Sequence, residues 1–134
     1  MPHLKTTAAQ MVADARARIE EIGAKDLVSQ IGDPDLVVVD IRDIRELERE
    51  GIIPGSVHAP RGMLEFWVDP ESKYHKPVFA QAGKRYVLHC ASGWRSALAA
   101  ATLNDMGFAC AHVHDGFTGW RDAGGAIEKL GPWR

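Results

Sequence analysis

Two apolar runs in the chain are continuous rather than alternating. Residues 36–39 read LVVV, and residues 85–89 read RYVLH. A strand that is apolar on both faces is typical of a parallel sheet covered on both sides. We therefore predict two central strands here, with shorter strands at residues 56–59 and 109–113.

Apolar residues at helical spacing predict the helices. Residues 7–22 place one stripe of apolar side chains on a single face, with most charged residues off it. The members of the stripe are Met11, Val12, Ala15, Ile19 and Ile22. Further helices are predicted at residues 24–31, 44–49, 96–106 and 117–122, and residues 60–84 are predicted to be rich in loops. Strands that alternate with helices predict a layered α/β domain.

Composition and charge exclude several classes of protein. The 134 residues suit one domain, and 46% apolar with 25% charged residues is ordinary for a soluble globule. Sixteen basic against 18 acidic residues give no electrostatic support for binding nucleic acid or a membrane surface, so neither partner is predicted. No apolar stretch approaches the roughly 20 residues that span a bilayer, and no secretory signal is recognisable. We predict a cytoplasmic protein.

The two cysteines, Cys90 and Cys110, are too few for a disulfide framework. Neither lies in a CxxC motif, so no metal site is predicted. Cys110 falls in a predicted strand. We interpret it as a buried structural thiol, with a resolving cysteine for Cys90 as the alternative.

Candidate chemistry is concentrated between the second central strand and the next helix, where residues 87–96 read VLHCASGWRS. The strand ends at Cys90, and a short loop leads to a helix N-terminus, whose N–H groups favour an anion. Gly93 allows a backbone conformation that most residues resist, and Arg95 adds a permanent positive charge. Such surroundings favour thiolate, the nucleophilic form of cysteine. The pattern predicts a nucleophile beside an anion-binding loop.

Four segments together resemble the single-domain rhodaneses, also called rhodanese-like sulfurtransferases. They are residues 37–42 (VVVDIR), 51–58 (GIIPGSVH), 90–96 (CASGWRS) and 115–120 (DGFTGW). They resemble, in order, the family's strand ending in Asp-x-Arg, its Gly-His-Ile-Pro-Gly-Ala segment, its active-site loop and its Gly-Gly-x-x-x-Trp element. Ile52 stands where the family usually has His, and Asp115 replaces one Gly. The resemblance extends over about residues 24–128.

The resemblance implies a three-layer α/β fold with a central, mainly parallel five-stranded sheet and helices on both faces. The rhodanese-like domain would cover residues 24–134, with residues 1–23 as an amphipathic helix packed on it or extending it. The implied reaction is ping-pong transfer of sulfane sulfur through a persulfide on Cys90, with no cofactor. The implied partners are a small anionic sulfur donor, such as thiosulfate or a persulfide, and a cyanide or thiol acceptor, which includes protein thiols.

The site residues follow from the loop and its surroundings. Cys90 is the predicted catalytic residue, and the predicted substrate-binding residues are Ala91, Ser92, Gly93, Trp94, Arg95 and Ser96. Ser96 is also predicted to cap the helix N-terminus. Supporting roles are predicted for Asp40, Arg42 and Arg61, and an ion pair that fixes loops is favoured for the first two.

Two other functions remain open. The related phosphatases and arsenate reductases carry five residues between Cys and Arg, whereas this chain has four, which favours sulfur over a tetrahedral phosphate or arsenate. A non-catalytic binding or sensor module is the second alternative. The sequence does not identify the physiological donor and acceptor, the oligomeric state or the role of residues 62–84.

Overall fold

Five parallel strands form one sheet in the computed structural model, which describes residues 3–131. They are β1 (Glu20–Ile22), β2 (Leu36–Asp40), β3 (Val57–His58), β4 (Arg85–His89) and β5 (Ala111–Val113). Their order across the sheet is β1-β5-β4-β2-β3, and every neighbouring pair is parallel. The two predicted apolar runs are the adjacent strands β2 and β4.

The described residues also form six α-helices. They are α1 (Ala8–Arg16), α2 (Ala24–Gln30), α3 (Ile44–Glu50), α4 (Leu64–Val68), α5 (Trp94–Asp105) and α6 (Gly116–Asp122). Helices α2 to α5 connect consecutive strands, while α1 precedes β1 and α6 follows β5. The stretch predicted to be rich in loops also contains two short 3₁₀ helices, Arg61–Met63 and Pro77–Ala80.

Helices cover both faces of the sheet. Val39 and Leu88 face α4 and α5 in one buried cluster, whereas Val38 and Val87 face α2 and α6 in another. Successive strand residues point to opposite faces, so continuous apolar runs are needed to fill both layers. The predicted three-layer α/β fold with a parallel five-stranded sheet is confirmed.

The prediction of one helix over residues 7–22 is wrong in its second half. The helix ends at Arg16, and residues 20–22 form β1, which pairs with β5 at the sheet edge. Val12 and Ala15 of α1 pack against Ala97 of α5. The domain boundary after residue 23 stays a prediction.

None of the helices within residues 3–131 has both the length and the apolar content that crossing a membrane requires. The cytoplasmic location stays a prediction.

Candidate active site

Cys90 follows β4 at the carboxyl edge of the sheet, where parallel α/β sheets bind ligands. The next three residues turn the chain into α5, whose first residue is Trp94. Cys90 is 1% exposed. The side chain therefore lies inside the bend rather than on the surface.

Two glycines make this bend possible. Gly93 has a φ of +93°, and a Cβ there would lie 2.2 Å from the carbonyl oxygen of His114. Gly116 has a φ of +61°, and a Cβ there would lie 2.4 Å from the carbonyl oxygen of Ala91. A larger residue at either position meets both backbone strain and a backbone clash. The conformational freedom predicted for Gly93 is confirmed.

Backbone amides of the loop point at the sulfur. The N–H groups of Gly93 and Ser96 donate to Cys90 Sγ at 3.2 and 3.4 Å. The loop carbonyls are used elsewhere, because Cys90 O accepts from the N–H of Phe117 and Ala91 O from that of Thr118, both on α6. Two N–H groups of the loop thus point at the sulfur, while these two carbonyl oxygens bond to α6. This arrangement suits a thiolate or another anion.

Ser96 contacts the sulfur with its side chain as well. Cys90 Sγ lies 3.5 Å from Ser96 Oγ, in the geometry of a thiol donating to a hydroxyl. The prediction that Ser96 caps the helix is wrong, since Gly93 holds the N-cap position and Ser96 lies three residues inside. The helix begins at Trp94, two residues earlier than the sequence pattern indicated.

Arg95 is engaged by a carboxylate. Its Nη1 and Nη2 donate to Glu46 Oε1 and Oε2 at 2.7 and 3.0 Å. This hydrogen bond lowers the pKa of Glu46, and the same bond raises the pKa of Arg95, to which the proximity of Cys90 adds. Arg95 thus lies near the sulfur, but its positive charge is shared with Glu46. Its role in binding a substrate anion stays a prediction.

Ala91, Ser92 and Trp94 form the outer part of the loop. Ala91 is half-buried, whereas Ser92 and Trp94 are exposed. The Trp94 side chain, 50% exposed at the start of α5, is open to solvent beside the bend.

Asp40 and Arg42 form a buried ion pair at the same sheet edge. Arg42 Nη2 donates to Asp40 Oδ2 at 2.8 Å and to the carbonyl oxygen of Gly51, and the guanidinium lies 4.1 Å from the centre of the Phe117 ring. Burial raises the pKa of Asp40, but hydrogen bonds from Arg42 and the neighbouring positive charges lower it by more. Both side chains are completely buried. This geometry agrees with the preferred interpretation, a structural pair.

Two further basic side chains of this region are Arg61, for which a supporting role is predicted, and His89. Arg61 Nη1 pairs with Glu65 at 2.9 Å on a partly exposed surface, so its place at the site rim stays a prediction. His89 is fully buried, and among residues 3–131 its Nε2 has no hydrogen-bond partner, although it lies 3.6 Å from Asp40 Oδ2. Burial lowers the pKa of His89 despite that neighbouring carboxylate.

Sequence reasoning missed Glu46, which binds Arg95, and the pair of His112 and Glu21, which continues from Ser96. His112 Nδ1 lies 2.8 Å from Ser96 Oγ, and its Nε2 lies 2.7 Å from Glu21 Oε2. Glu21 and His112 are direct neighbours on β1 and β5. Sequence reasoning could not find this contact because it assigned residues 20–22 to a helix. Glu21 meets His112 only when these residues form a strand beside β5.

Cys110 lies at the opposite end of the sheet. The β4–β5 register pairs Val87 with Ala111, so Cys110 lies beside Tyr86, and Cys90 is four residues farther along β4. At about 3.3 Å per residue this is roughly 13 Å, too far for a disulfide without backbone movement. Burial raises the pKa of Cys110 to about 12. The geometry favours a structural thiol over a resolving cysteine.

Two cavities lie away from Cys90. One of about 450 Å³ is lined by Cys110, Phe108 and residues at the amino ends of the strands, and one of about 480 Å³ is lined by Val68, Phe79 and Met106 among others. Neither includes a residue of the 90–96 loop. Within residues 3–131, no group of three or more His, Cys, Asp or Glu side chains is arranged to hold a metal ion.

Known proteins resemble this chain over most of its length. A model of the rhodanese-like domain family matches residues 23–123. "Putative sulfurtransferase YtwF" of Bacillus subtilis is 33% identical over 103 residues, which cover 76% of this chain and 90% of that protein. A mouse protein named "Thiosulfate sulfurtransferase/rhodanese-like domain-containing protein 3" is 30% identical over 103 residues, which cover 73% of this chain and 64% of that protein.

Among solved structures, RPA3614 from Rhodopseudomonas palustris is 49% identical to this chain, with a TM-score of 0.90. The match covers 96% of this chain and 99% of that one, which is described as a protein of unknown function and a possible tyrosine phosphatase. A rhodanese-related protein from Thermoplasma volcanium is 28% identical, with a TM-score of 0.67, over 83% of this chain and 99% of that one.

Proposed function

The chain belongs to the rhodanese-like domain family, and we propose that it is a sulfurtransferase acting through a persulfide on Cys90. The donor is a small anionic sulfane-sulfur compound such as thiosulfate or a persulfide. The acceptor is a thiophile, either cyanide or a thiol, including the thiol of a protein. The curated relatives named as sulfurtransferases support this reaction class.

One observation carries the proposal: the amides of Gly93 and Ser96 both donate to Cys90 Sγ at the N-terminus of α5. Amides and the positive end of a helix stabilise a thiolate, and the same groups stabilise the persulfide anion that replaces it. A merely structural buried cysteine has no need of two backbone donors.

The reaction has two displacement steps at sulfur. In the first, the Cys90 thiolate attacks the outer sulfur of thiosulfate, a new S–S bond forms, and sulfite leaves with the electron pair of the broken S–S bond. In the second, the acceptor attacks the outer sulfur of the Cys90 persulfide. The electron pair of that S–S bond returns to Cys90 Sγ, which regenerates the thiolate.

The positive charge of Arg95 attracts the anionic donor in this proposal. Its guanidinium, 42% exposed as a side chain, is held by Glu46 on one edge. Donor binding is then a competition between the donor anion and the Glu46 carboxylate for the positive charge. The Glu46 carboxylate therefore lowers the affinity of the site for the donor.

A phosphatase is the second candidate, because RPA3614 is described as a possible tyrosine phosphatase. The loop of this chain has four residues between Cys90 and Arg95, one fewer than the five of the related phosphatases. A shorter loop leaves less room for a tetrahedral phosphate, and this favours sulfur transfer.

The test compares both activities on one preparation. The wild type is expected to form thiocyanate from thiosulfate and cyanide and to leave an aryl phosphate unhydrolysed, and Cys90→Ser should abolish thiocyanate formation. Cys110→Ser is the matched control, because it changes the other thiol at the far end of the sheet. Turnover of the aryl phosphate without sulfur transfer would establish the phosphatase, and loss of neither activity in Cys90→Ser would reject both mechanisms.

A further inference from the structure

Three side chains, Ser96, His112 and Glu21, connect Cys90 to the outer edge of the sheet through consecutive hydrogen bonds. The distances are 3.5 Å from Cys90 Sγ to Ser96 Oγ, 2.8 Å from Ser96 Oγ to His112 Nδ1, and 2.7 Å from His112 Nε2 to Glu21 Oε2. Cys90, Ser96 and His112 are buried, whereas the Glu21 side chain is 31% exposed. The chain of contacts therefore runs from a buried sulfur to solvent.

The Glu21 carboxylate fixes the direction of these hydrogen bonds. An ionised carboxylate only accepts, so His112 Nε2 carries a hydrogen and donates to Glu21. In a neutral imidazole, Nδ1 is then the acceptor, and the Ser96 hydroxyl must donate to it. The free lone pairs of Ser96 Oγ consequently face Cys90 Sγ, which donates as a thiol.

We propose that His112, held by Glu21, accepts the proton of the Cys90 thiol through the Ser96 hydroxyl. The inference rests on the proposed function, because it explains how the nucleophilic thiolate forms. The Cys90 S–H bond breaks as that proton moves to Ser96 Oγ, and the original hydroxyl proton moves to His112 Nδ1. One proton moves in net terms and no group is oxidised or reduced. The product is a thiolate, a neutral serine and an imidazolium paired with Glu21.

The charges around His112 suit such a role. Burial lowers the pKa of His112, as do the neighbouring charges of Arg16 and His114, whereas the hydrogen bond and charge of Glu21 raise it. Burial therefore favours the neutral imidazole, the form that can accept a proton, whereas the Glu21 carboxylate favours the protonated ring. Arg16 Nε lies 3.7 Å from Glu21 Oε2 and holds the carboxylate in place.

His112 does not contact the sulfur, so it is a positioning residue for the proton. This role predicts an effect on the pH dependence of Cys90 that a packing role would not produce. The readout is the rate of Cys90 alkylation by iodoacetamide, which follows the thiolate. Trypsin separates the two cysteines, because Arg85, Arg95 and Arg121 bound the peptides 86–95 and 96–121. Mass spectrometry therefore reports on Cys90 alone.

The main variant is His112→Asn, which retains a hydrogen-bonding group near the Nδ1 position but takes up no proton. We expect its alkylation profile to move to higher pH, with a rate at neutral pH about tenfold lower, which corresponds to a shift of about one pH unit. His75→Asn is the control, since His75 is a half-buried histidine that also bonds through Nδ1, to the carbonyl oxygen of Trp67. Its profile should match that of the wild type.

A double variant tests the order of the contacts. Glu21→Gln should shift the profile in the same direction by a smaller amount, since it removes the charge that stabilises the imidazolium. Adding Glu21→Gln to His112→Asn should produce no further shift, because the proposal has Glu21 act on Cys90 through His112. Additive shifts, or an unshifted profile in a folded His112→Asn protein, would overturn the proposal.

A measurement on the wild-type histidine covers the case in which His112→Asn does not fold. Coupled groups titrate together, so replacing Cys90 by Ala should change the NMR titration of the His112 ring. An identical His112 titration with and without the thiol would reject this proton transfer from Cys90 through Ser96 to His112, the proton relay. Thiocyanate formation is assayed on the same samples. A relay without sulfur transfer rejects only the proposed function, and sulfur transfer without coupling rejects only the relay.

Discussion

Replacing Glu46 by Gln should strengthen binding of an anionic sulfur donor. The carboxylate oxygens of Glu46 lie 2.7 and 3.0 Å from the Arg95 guanidinium and neutralise most of its charge. Gln keeps the size of the side chain and its capacity to accept from the N–H of Asp43 in the capping box of α3. The substitution therefore removes one negative charge and the acceptor of the Arg95 Nη2 hydrogen bond, and both changes free the guanidinium.

The size of the effect follows from Coulomb's law. In a solvent-exposed site, a unit charge several ångströms away contributes on the order of 1 kcal/mol, which is roughly fivefold in binding. The KM for thiosulfate should fall by about that factor, and the difference should shrink at high salt. The Arg95–Glu46 pair is partly exposed, so its loss should cost less than about 1 kcal/mol of stability.

The assay measures thiocyanate formation over a range of thiosulfate concentrations at low and high ionic strength. Asp105→Asn is the matched control. Asp105 also accepts two hydrogen bonds from an arginine, Arg18, at the other end of α5. A KM that is unchanged or higher in Glu46→Gln, with Asp105→Asn equal to the wild type, would refute the competition for Arg95.

Three further predictions concern the backbone, pH and the second thiol. Gly93→Ala should lower the free energy of unfolding in urea by about 2 kcal/mol more than Gly107→Ala, because the two glycines have φ values of +93° and +95° but only the Cβ at position 93 meets backbone. The free energy of unfolding should fall as pH falls below His89's ordinary pKa of 6.5, since burial lowers the pKa of His89 and the unfolded chain then binds the extra proton. His89→Gln should reduce this pH dependence. Cys110→Ala should leave kcat and the KM for thiosulfate unchanged, because Cys110 lies at the far end of the sheet.

Each of these has a contrary outcome. Equal costs for the two glycine substitutions would mean that the loop moves away from the His114 carbonyl without penalty. An unchanged pH slope in His89→Gln would show that His89 is not the group that resists protonation. A large loss of kcat in a folded Cys110→Ala protein would show that Cys110 takes part in the reaction.

The central part of the fold could be predicted because its pattern is local. β2 and β4 are buried on both faces and therefore appear as continuous apolar runs. The loop after β4 was recognisable because a cysteine, a glycine and an arginine follow a strand and precede a helix.

The edge of the sheet could not be predicted because its strand is too short to show a period. β1 has three residues, and Ile19 and Ile22 also fit the stripe of the preceding helix. Only the pairing with β5 distinguishes a strand at residues 20–22 from a continuation of the helix. This pairing brings Glu21 beside His112. Contacts between distant segments, such as that between Glu46 and Arg95, likewise leave no local pattern in the sequence.

The central claim, that Cys90 carries the transferred sulfur, is tested most directly by mass spectrometry of the tryptic peptides after exposure to thiosulfate. The account predicts that peptide 86–95 gains the mass of one sulfur atom, that peptide 96–121 does not, and that added cyanide removes the sulfur as thiocyanate. A folded protein that forms thiocyanate while Cys90 never gains sulfur would contradict it.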